Sequence, residues 1–223
     1  MDRLIYDRIR ELETDHWWFV GRRRILRRLL QRLAPPPGAK ILEVGCGAGG
    51  NVPLLREFGA VAALEPDDES RAYAAERLGL DIQSGLLPDG LPYAPESFDL
   101  VCAFDVVEHV DDDAGSVAAL ARLVKPGGAI LTTVPAYPWM WSHHDVLHHH
   151  KRRYLLPAYR ALFERAGLKV ETATYFNSLL FPLAAAQRTA KRLLGDQSAD
   201  DAMPPAWLNS WLSSAKSSCL PAG

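Results

Sequence analysis

"KILEVGCGAGG", residues 40–50, sets a short apolar run against a turn with glycine at alternate positions. The run reads as a buried strand, because a brief apolar stretch bounded by turn signals suits a strand covered on both faces. Gly45, Gly47 and Gly49 allow a sharp turn and bring bare backbone close to a ligand. A helix expected over residues 50–58 then offers free N–H groups and the positive end of its dipole to something polar. A second apolar run, "AVAALE" (60–65), ends on Glu65. A carboxylate about 20 residues past such a turn is placed to accept hydrogen bonds from ribose hydroxyls.

Outward from this core, strands and helices alternate. The helix of "DESRAYAAERLG" (68–79) leads to a weak strand in "LDIQSG" (80–85) and a strong one in "SFDLVCAF" (97–104). An acidic turn, a helix over 114–123 and a fifth strand in "KPGGAILTTVPA" (125–136) follow. The helix "PAYRALFERAG" (157–167) is capped by Gly167, and "LKVETATYFN" (168–177) reads as a sixth strand. Such alternation implies an α/β fold with a doubly wound, mostly parallel, Rossmann-like sheet, with ligands bound beyond the carboxyl ends of its strands. Ahead of it, helices are expected over 2–13 and 21–33, separated by "HWWFVG" and closed by "APPPGAK". Helical patterns in "LLFPLAAAQRTAKRLLG" and around "PPAWLNSWLSSAK" come last. We divide this single domain into an N-terminal helical extension (1–39), a core (40–178) and a C-terminal helical segment (179–223).

Composition excludes several function classes. With 48% hydrophobic and 23% charged residues the chain reads as an ordinary soluble globular protein. A net charge of -2 argues against nucleic acid as a partner. Basic residues nonetheless gather in the N-terminal helices, from Arg22 to Arg32, so that face could rest on an anionic membrane surface. Cys46, Cys102 and Cys219 form neither a disulfide framework nor a CxxC pair, which suits a reducing cytoplasm. The charged start "MDRLIYDRIRELETDH" is no signal peptide, and the uncharged run Thr172 to Gln187 is broken by Pro182 and too short to span a bilayer.

Two nucleoside cofactors could use the glycine turn. A nicotinamide dinucleotide requires G-x-G-x-x-G, whose spacing serves a pyrophosphate. Here the spacing is E-x-G-x-G-x-G, from Glu43 to Gly49, and it resembles the first motif of class I S-adenosylmethionine-dependent methyltransferases. "ALEPD", "LPDGLPYAPESFDLV", "DVVEHVDD" and "LVKPGGAILTTVP" resemble their later motifs, so the likeness runs almost unbroken from residue 40 to 135. It implies S-adenosylmethionine as cofactor and S-adenosylhomocysteine as product. It also implies a cofactor site of Glu43, Gly45, Cys46, Gly47 and Gly49 at the amino-acid part and of Glu65 and Pro66 at the ribose. Gly85 and Leu86 would flank the adenine, and Asp105 would begin the boundary with the acceptor. By the same resemblance the fold ends with an antiparallel seventh strand, for which no segment remains after residue 178. Either the chain is truncated or a six-stranded sheet covers that edge otherwise.

Further stretches, "HWWFVGRR", "VPAYPWMWSHHD" and "HHHKRRY", resemble a subgroup of small bacterial methyltransferases related to ubiquinone-precursor O-methyltransferases. The first suggests a lid in which Trp17 and Trp18 cover the sulfonium and Arg22 pairs with the cofactor carboxylate. "SHHDVLHHHKRRY" (142–154) leaves the carboxyl edge of the fifth strand, where an acceptor must lie. His144 or His150 is the expected general base, with Asp145 orienting it. Trp17, His109, Trp141, Arg153 and Tyr154 are the expected acceptor contacts. His144 and His148 have metal-ligand spacing, but no carboxylate cluster nearby in the sequence completes a site, so no metal is expected. The acceptor reads as small or lipid-like and methylated at oxygen. A non-catalytic homologue that binds a protein or membrane is the alternative, and a nicotinamide-dependent dehydrogenase the less favoured one.

Overall fold

Alternation along β1 (Ala39–Val44) decides how the sheet is covered. Leu42 and Val44 join a core cluster with Val117, Leu120 and Leu162, whereas Ile41 joins Leu26, Leu30, Leu54 and Leu55. Successive strand residues face opposite sides, so β1 is buried on both, as parallel sheets require. A computed structural model describes residues 3–176 together with 181, 182, 185, 186, 189, 190 and 209. Its strands β1, β2 (Gly59–Leu64), β3 (Ile82–Gln83), β4 (Phe98–Phe104) and β5 (Val124–Thr133) form one sheet, all pairs parallel, in the order β3-β2-β1-β4-β5. The order reverses between β1 and β4, which puts the ligand crevice at their carboxyl ends.

Helices α1 (Arg3–Leu12), α2 (Trp17–Leu33), α3 (Val52–Leu55), α4 (Asp68–Leu78), α5 (Asp113–Leu123), α6 (His143–Leu147) and α7 (Leu156–Arg165) complete the described fold. The aromatic stretch expected to link two helices is instead the first turn of α2, because His16 accepts the Trp18 N–H and caps the helix there. Leu26 and Leu30 of α2 lie in the sheet core, so this helix is built into the domain. The helix expected over 50–58 is a four-residue turn, α3.

The expected sixth strand is not formed by residues 168–176, the described part of that stretch. Side chains hold it in place of a strand ladder: the Tyr175 hydroxyl accepts the Leu156 N–H at 2.9 Å, and its ring stacks on Tyr137 at 4.8 Å. The described positions between 181 and 190 are helical, and the rest of the C-terminal segment lies outside the described residues.

Candidate active site

The glycine turn is tied to its neighbours by backbone. Cys46 N–H donates to the Leu64 carbonyl at 2.9 Å, and Gly47 N–H donates to Glu65 Oε2 at 2.8 Å. Gly45 has φ +68, and a Cβ there would meet Val106 at 2.7 Å, so only glycine lets the turn pack against the segment after β4. Gly47 also has positive φ, yet nothing lies within 4 Å of where its Cβ would be. The turn therefore presents bare backbone to open space on that side.

Two buried carboxylates flank it. Glu65 accepts from Gly47 and from Asp67 N–H (3.0 Å), one bond per oxygen, which leaves each oxygen a lone pair for a hydroxyl. Burial raises its pKa and the two backbone bonds oppose that. Glu43 accepts from Asn51 through one oxygen at 3.0 Å, while Oε2 has no hydrogen-bond partner. Burial pushes Glu43 up to about 8. A buried acid with an unsatisfied oxygen beside exposed turn backbone suits a cationic, hydrogen-bonding ligand such as an amino-acid ammonium. These residues fit S-adenosylmethionine, which when bound supplies an electrophilic methyl group on sulfur. Cys46 is buried, and burial beside Glu43 and Glu65 drives its thiol pKa up, so it lines the turn as a packed side chain. Gly85 is buried and Leu86 largely exposed at the loop after β3.

Contacts that sequence reasoning missed cover this cradle. Helix α1 lies against the start of α4: Arg3 pairs with Asp67 (3.1 Å) and Glu69 (3.0 Å), and Arg10 reaches Ser70. Glu13, just past α1, pairs with Arg77 at 2.6 Å and lies where a side chain on Gly50 would go. Tyr6 feels the charge of Glu65, and burial with that charge raises its hydroxyl to about 12. No periodicity in the sequence announces such an approach.

Arg22 does not stand free for a cofactor carboxylate. It is buried and pairs with Asp105 at 2.6 Å and with Thr133 Oγ1 at 2.9 Å, while Thr133 donates to Asp105 at 3.0 Å. The charge of Arg22 is thereby already paired within the chain, with Nε left without a hydrogen-bond partner. Asp105 is held at φ +56, and its N–H donates to the Thr133 carbonyl, so the turn after β4 is bolted to the end of β5.

The histidine stretch folds inward around Asp145, which is fully buried. Its carboxylate accepts from Ser142 N–H (2.8 Å), His150 Nδ1 (2.8 Å) and Arg153 Nε (2.7 Å). After burial, which opposes the shift, these bonds dominate and hold Asp145 well below the ordinary carboxylate range. Arg153, expected at an acceptor, is turned inward to Asp145 and the Ala136 carbonyl. Tyr154 is likewise a core residue, its hydroxyl donated to Asp113 at 2.9 Å. His144 lies against His148, ring centroids 3.9 Å apart and planes tilted by 31°.

His109 and His150 meet edge to face at 4.7 Å, and with Glu108 they bring donor atoms within 4.8 Å of one another. Glu108 is fully buried with both oxygens unpartnered, and burial drives its pKa well up. The fold makes this cluster by placing the turn after β4 against the loop after β5, and neither His144 nor His148 belongs to it. Lys151 N–H donates to the Glu108 carbonyl at 2.8 Å and fixes that contact. Trp17 and Trp18 lie edge to face, Trp18 beside Phe176, while Trp141 lies half-buried at the loop entrance.

Comparison with known proteins agrees with this geometry. A family model described as "Methyltransferase domain" matches residues 19–180. A protein of Mycolicibacterium smegmatis named "Probable S-adenosylmethionine-dependent methyltransferase" is 33% identical over 126 residues, 56% of this chain and 48% of that protein. A ubiquinone biosynthesis O-methyltransferase of Methylocella silvestris is 37% identical over 127 residues, 54% of this chain and 47% of that protein. The chain thus spans about half the length of the curated relatives it matches. In fold it resembles the crystal structure of an S-adenosylmethionine-dependent methyltransferase from Mesorhizobium loti, with TM-score 0.59 and 18% identity over 72% of this chain and 90% of that one. Glycine turn, ribose-side acid, parallel sheet and family match agree: the chain belongs to the class I S-adenosylmethionine-dependent methyltransferases, whose cofactor is S-adenosylmethionine.

Proposed function

We propose that the chain transfers the methyl group of S-adenosylmethionine to a hydroxyl oxygen of a small, partly apolar acceptor. The observation that carries this reading is the His150–Asp145 pair, set beside the turn that packs on the glycine cradle. A hydroxyl must lose its proton as it is methylated, and an imidazole oriented by a buried carboxylate is suited to take it. Asp145 holds His150, so the choice between His144 and His150 falls on His150. Glu65 and the amides of the glycine turn hold the cofactor ribose and amino-acid parts, and Glu43 meets the ammonium. Gly85 and Leu86 flank the adenine.

Aromatic and aliphatic side chains support an apolar acceptor. Tyr137, Tyr175 and Phe181 cluster at 4.8–5.0 Å, and Trp139, Val146 and Leu155 are exposed along the same loop. The named activity of the Methylocella relative, O-methylation in ubiquinone biosynthesis, supports oxygen as the atom and a lipid-like ring as one acceptor class. None of the described helices is long and apolar enough to cross a membrane, and these exposed side chains suit a peripheral contact with lipid. Buried free Cys46 and Cys102 accord with a cytoplasmic setting.

The test is a product screen with methyl-labelled cofactor against phenols, catechols and polyprenylated phenols, read by mass spectrometry. Methyl ethers are expected. Label found on nitrogen or carbon acceptors, with hydroxyl compounds untouched, would overturn the oxygen assignment.

A further inference from the structure

Gly50 closes the glycine turn, yet its φ is not positive, so no backbone strain requires glycine there as it does at Gly45, Gly47 and Gly49. The constraint comes from another segment. The three atoms nearest a Cβ built on Gly50 all belong to Glu13, with Cδ at 2.7 Å. Gly50 N–H donates to the same carboxylate. Glu13 is buried, and Arg77 of α4 pairs with its Oε1 at 2.6 Å. Arg23 donates to the carbonyls of Glu13 and Thr14, at 2.5 and 2.7 Å, and so fixes the chain just past α1.

The other end of α1 reaches the ribose-side acid. Arg3 pairs with Asp67 at 3.1 Å and lies over the Tyr6 ring at 5.1 Å, while Asp67 N–H donates to Glu65 at 3.0 Å. Tyr6 is half-buried in this array, near enough to Glu65 and Asp67 for both charges to act on its hydroxyl. Burial and those charges keep the phenol protonated at neutral pH, so it is a donor. The Glu65 carboxylate is an acceptor. A ribose hydroxyl uses one of each, because it donates one hydrogen bond and accepts through its lone pairs. Tyr6 and Glu13 both precede residues 19–180, the stretch matched as a methyltransferase domain, so neither belongs to that domain's shared motifs.

We propose that Tyr6 and Glu13 are cofactor-site residues supplied by the α1 segment: Tyr6 donates to a ribose hydroxyl beside Glu65, and Glu13 shapes the glycine turn through Gly50. The Tyr6 contact rests on the ribose placement at Glu65 given above. Glu13 is a positioning residue, because it acts on the cofactor only through the turn. Its carboxylate fills the place of a side chain on Gly50 and holds that amide, so the turn keeps one shape whether or not the cofactor is bound. With Tyr6 donating and Glu65 accepting, the site favours an adenosyl ligand with an intact ribose over a deoxy form.

Calorimetric binding of S-adenosylhomocysteine and its 2′-deoxy and 3′-deoxy forms tests this without acceptor or turnover. Tyr6→Phe should bind S-adenosylhomocysteine about three- to ten-fold more weakly than the parent protein. One of the two deoxy forms should bind both proteins alike, because the bond is already missing. Glu13→Ala and Gly50→Ala should each cost about ten-fold, and the double variant no more than the larger single loss. Glu13→Gln should recover most of the affinity, since its amide oxygen can accept from Gly50. A cooperative unfolding transition shows that each variant has folded, and Gly50→Ala with Glu13→Gln carries the test if Glu13→Ala has not. If α1 only stabilises the fold, the variants lower the unfolding midpoint and leave affinity unchanged. That result, or additive losses from Glu13→Ala and Gly50→Ala, overturns the role of Glu13, and equal affinity in Tyr6→Phe overturns that of Tyr6. A parent protein that binds all three ligands alike sinks the ribose placement at Glu65 and Tyr6 with it, while the Glu13 and Gly50 cycle still decides the turn.

Discussion

Cofactor binding should drive a proton off Glu43. Burial holds this acid up to about 8, against an ordinary value of 4.5, with only Asn51 donating to it. At pH 7 a group of that pKa is about 90% protonated, and ionising it costs about 1.4 kcal/mol. The cofactor ammonium, placed against the unpartnered Oε2, would favour the ionised form by a charge-assisted bond of about 1.5–3 kcal/mol. The gain covers the cost and lowers the pKa by about 1–2 units, so binding at pH 7 should release about 0.5–0.8 proton. Calorimetric titration in two buffers of different ionisation enthalpy measures this directly. Affinity should rise by up to about ten-fold from pH 6 to 7 and level off above 8. Glu43→Gln should release no proton and lose that slope. Without ligand, the folded chain keeps a proton that the unfolded chain gives up above about 4.5, so stability from this group falls as pH rises from 5 to 8. A parent protein whose binding heat is the same in both buffers would refute the placement of the ammonium at Glu43.

Other substitutions probe the remaining parts of the site. Glu65→Gln turns an amide donor toward one of two backbone N–H groups, so it should cost about 1–3 kcal/mol in thermal or urea unfolding and about ten-fold or more in cofactor affinity by calorimetry. His150→Ala should leave cofactor affinity intact and slow methyl transfer by about a hundred-fold, whereas His144→Ala should leave the rate within about two-fold. Equal rates for all three proteins would place the base elsewhere. Arg22→Met strips the partner from Asp105 and should destabilise the fold by about 2 kcal/mol in urea. No change in the midpoint would show that Arg22 is dispensable to the turn after β4.

What was legible in the sequence is what backbone geometry dictates locally. The alternation of Leu42 and Val44 with Ile41, the glycine turn and Glu65 at the end of β2 follow from strand period and turn sterics. Asp145 as the residue that orients a histidine was legible from its neighbourhood of His and Arg. Two things were not. Alternating "LKVETATYF" has a strand period, but period supplies a face and no ladder partner, and Tyr175 fastens the segment by its side chain instead. Arg22 and Arg153 were read as ligands because an isolated guanidinium looks available. Only the packed fold shows that Asp105 and Asp145 take them first.

Convergence of Ser142, His150 and Arg153 on one carboxylate has a consequence for how such a chain can diversify. The ordering of the loop is internal, carried by bonds to Asp145 and by the Lys151 and Tyr154 backbone contacts. The side chains of Trp139, Val146 and Leu155 are exposed beside that wiring. On the proposed reading, substitutions at those three positions would reshape the surface an acceptor meets without disturbing the groups proposed to handle its proton. Acceptor preference can drift by single steps here, while replacing Asp145 would release Ser142, His150 and Arg153 together.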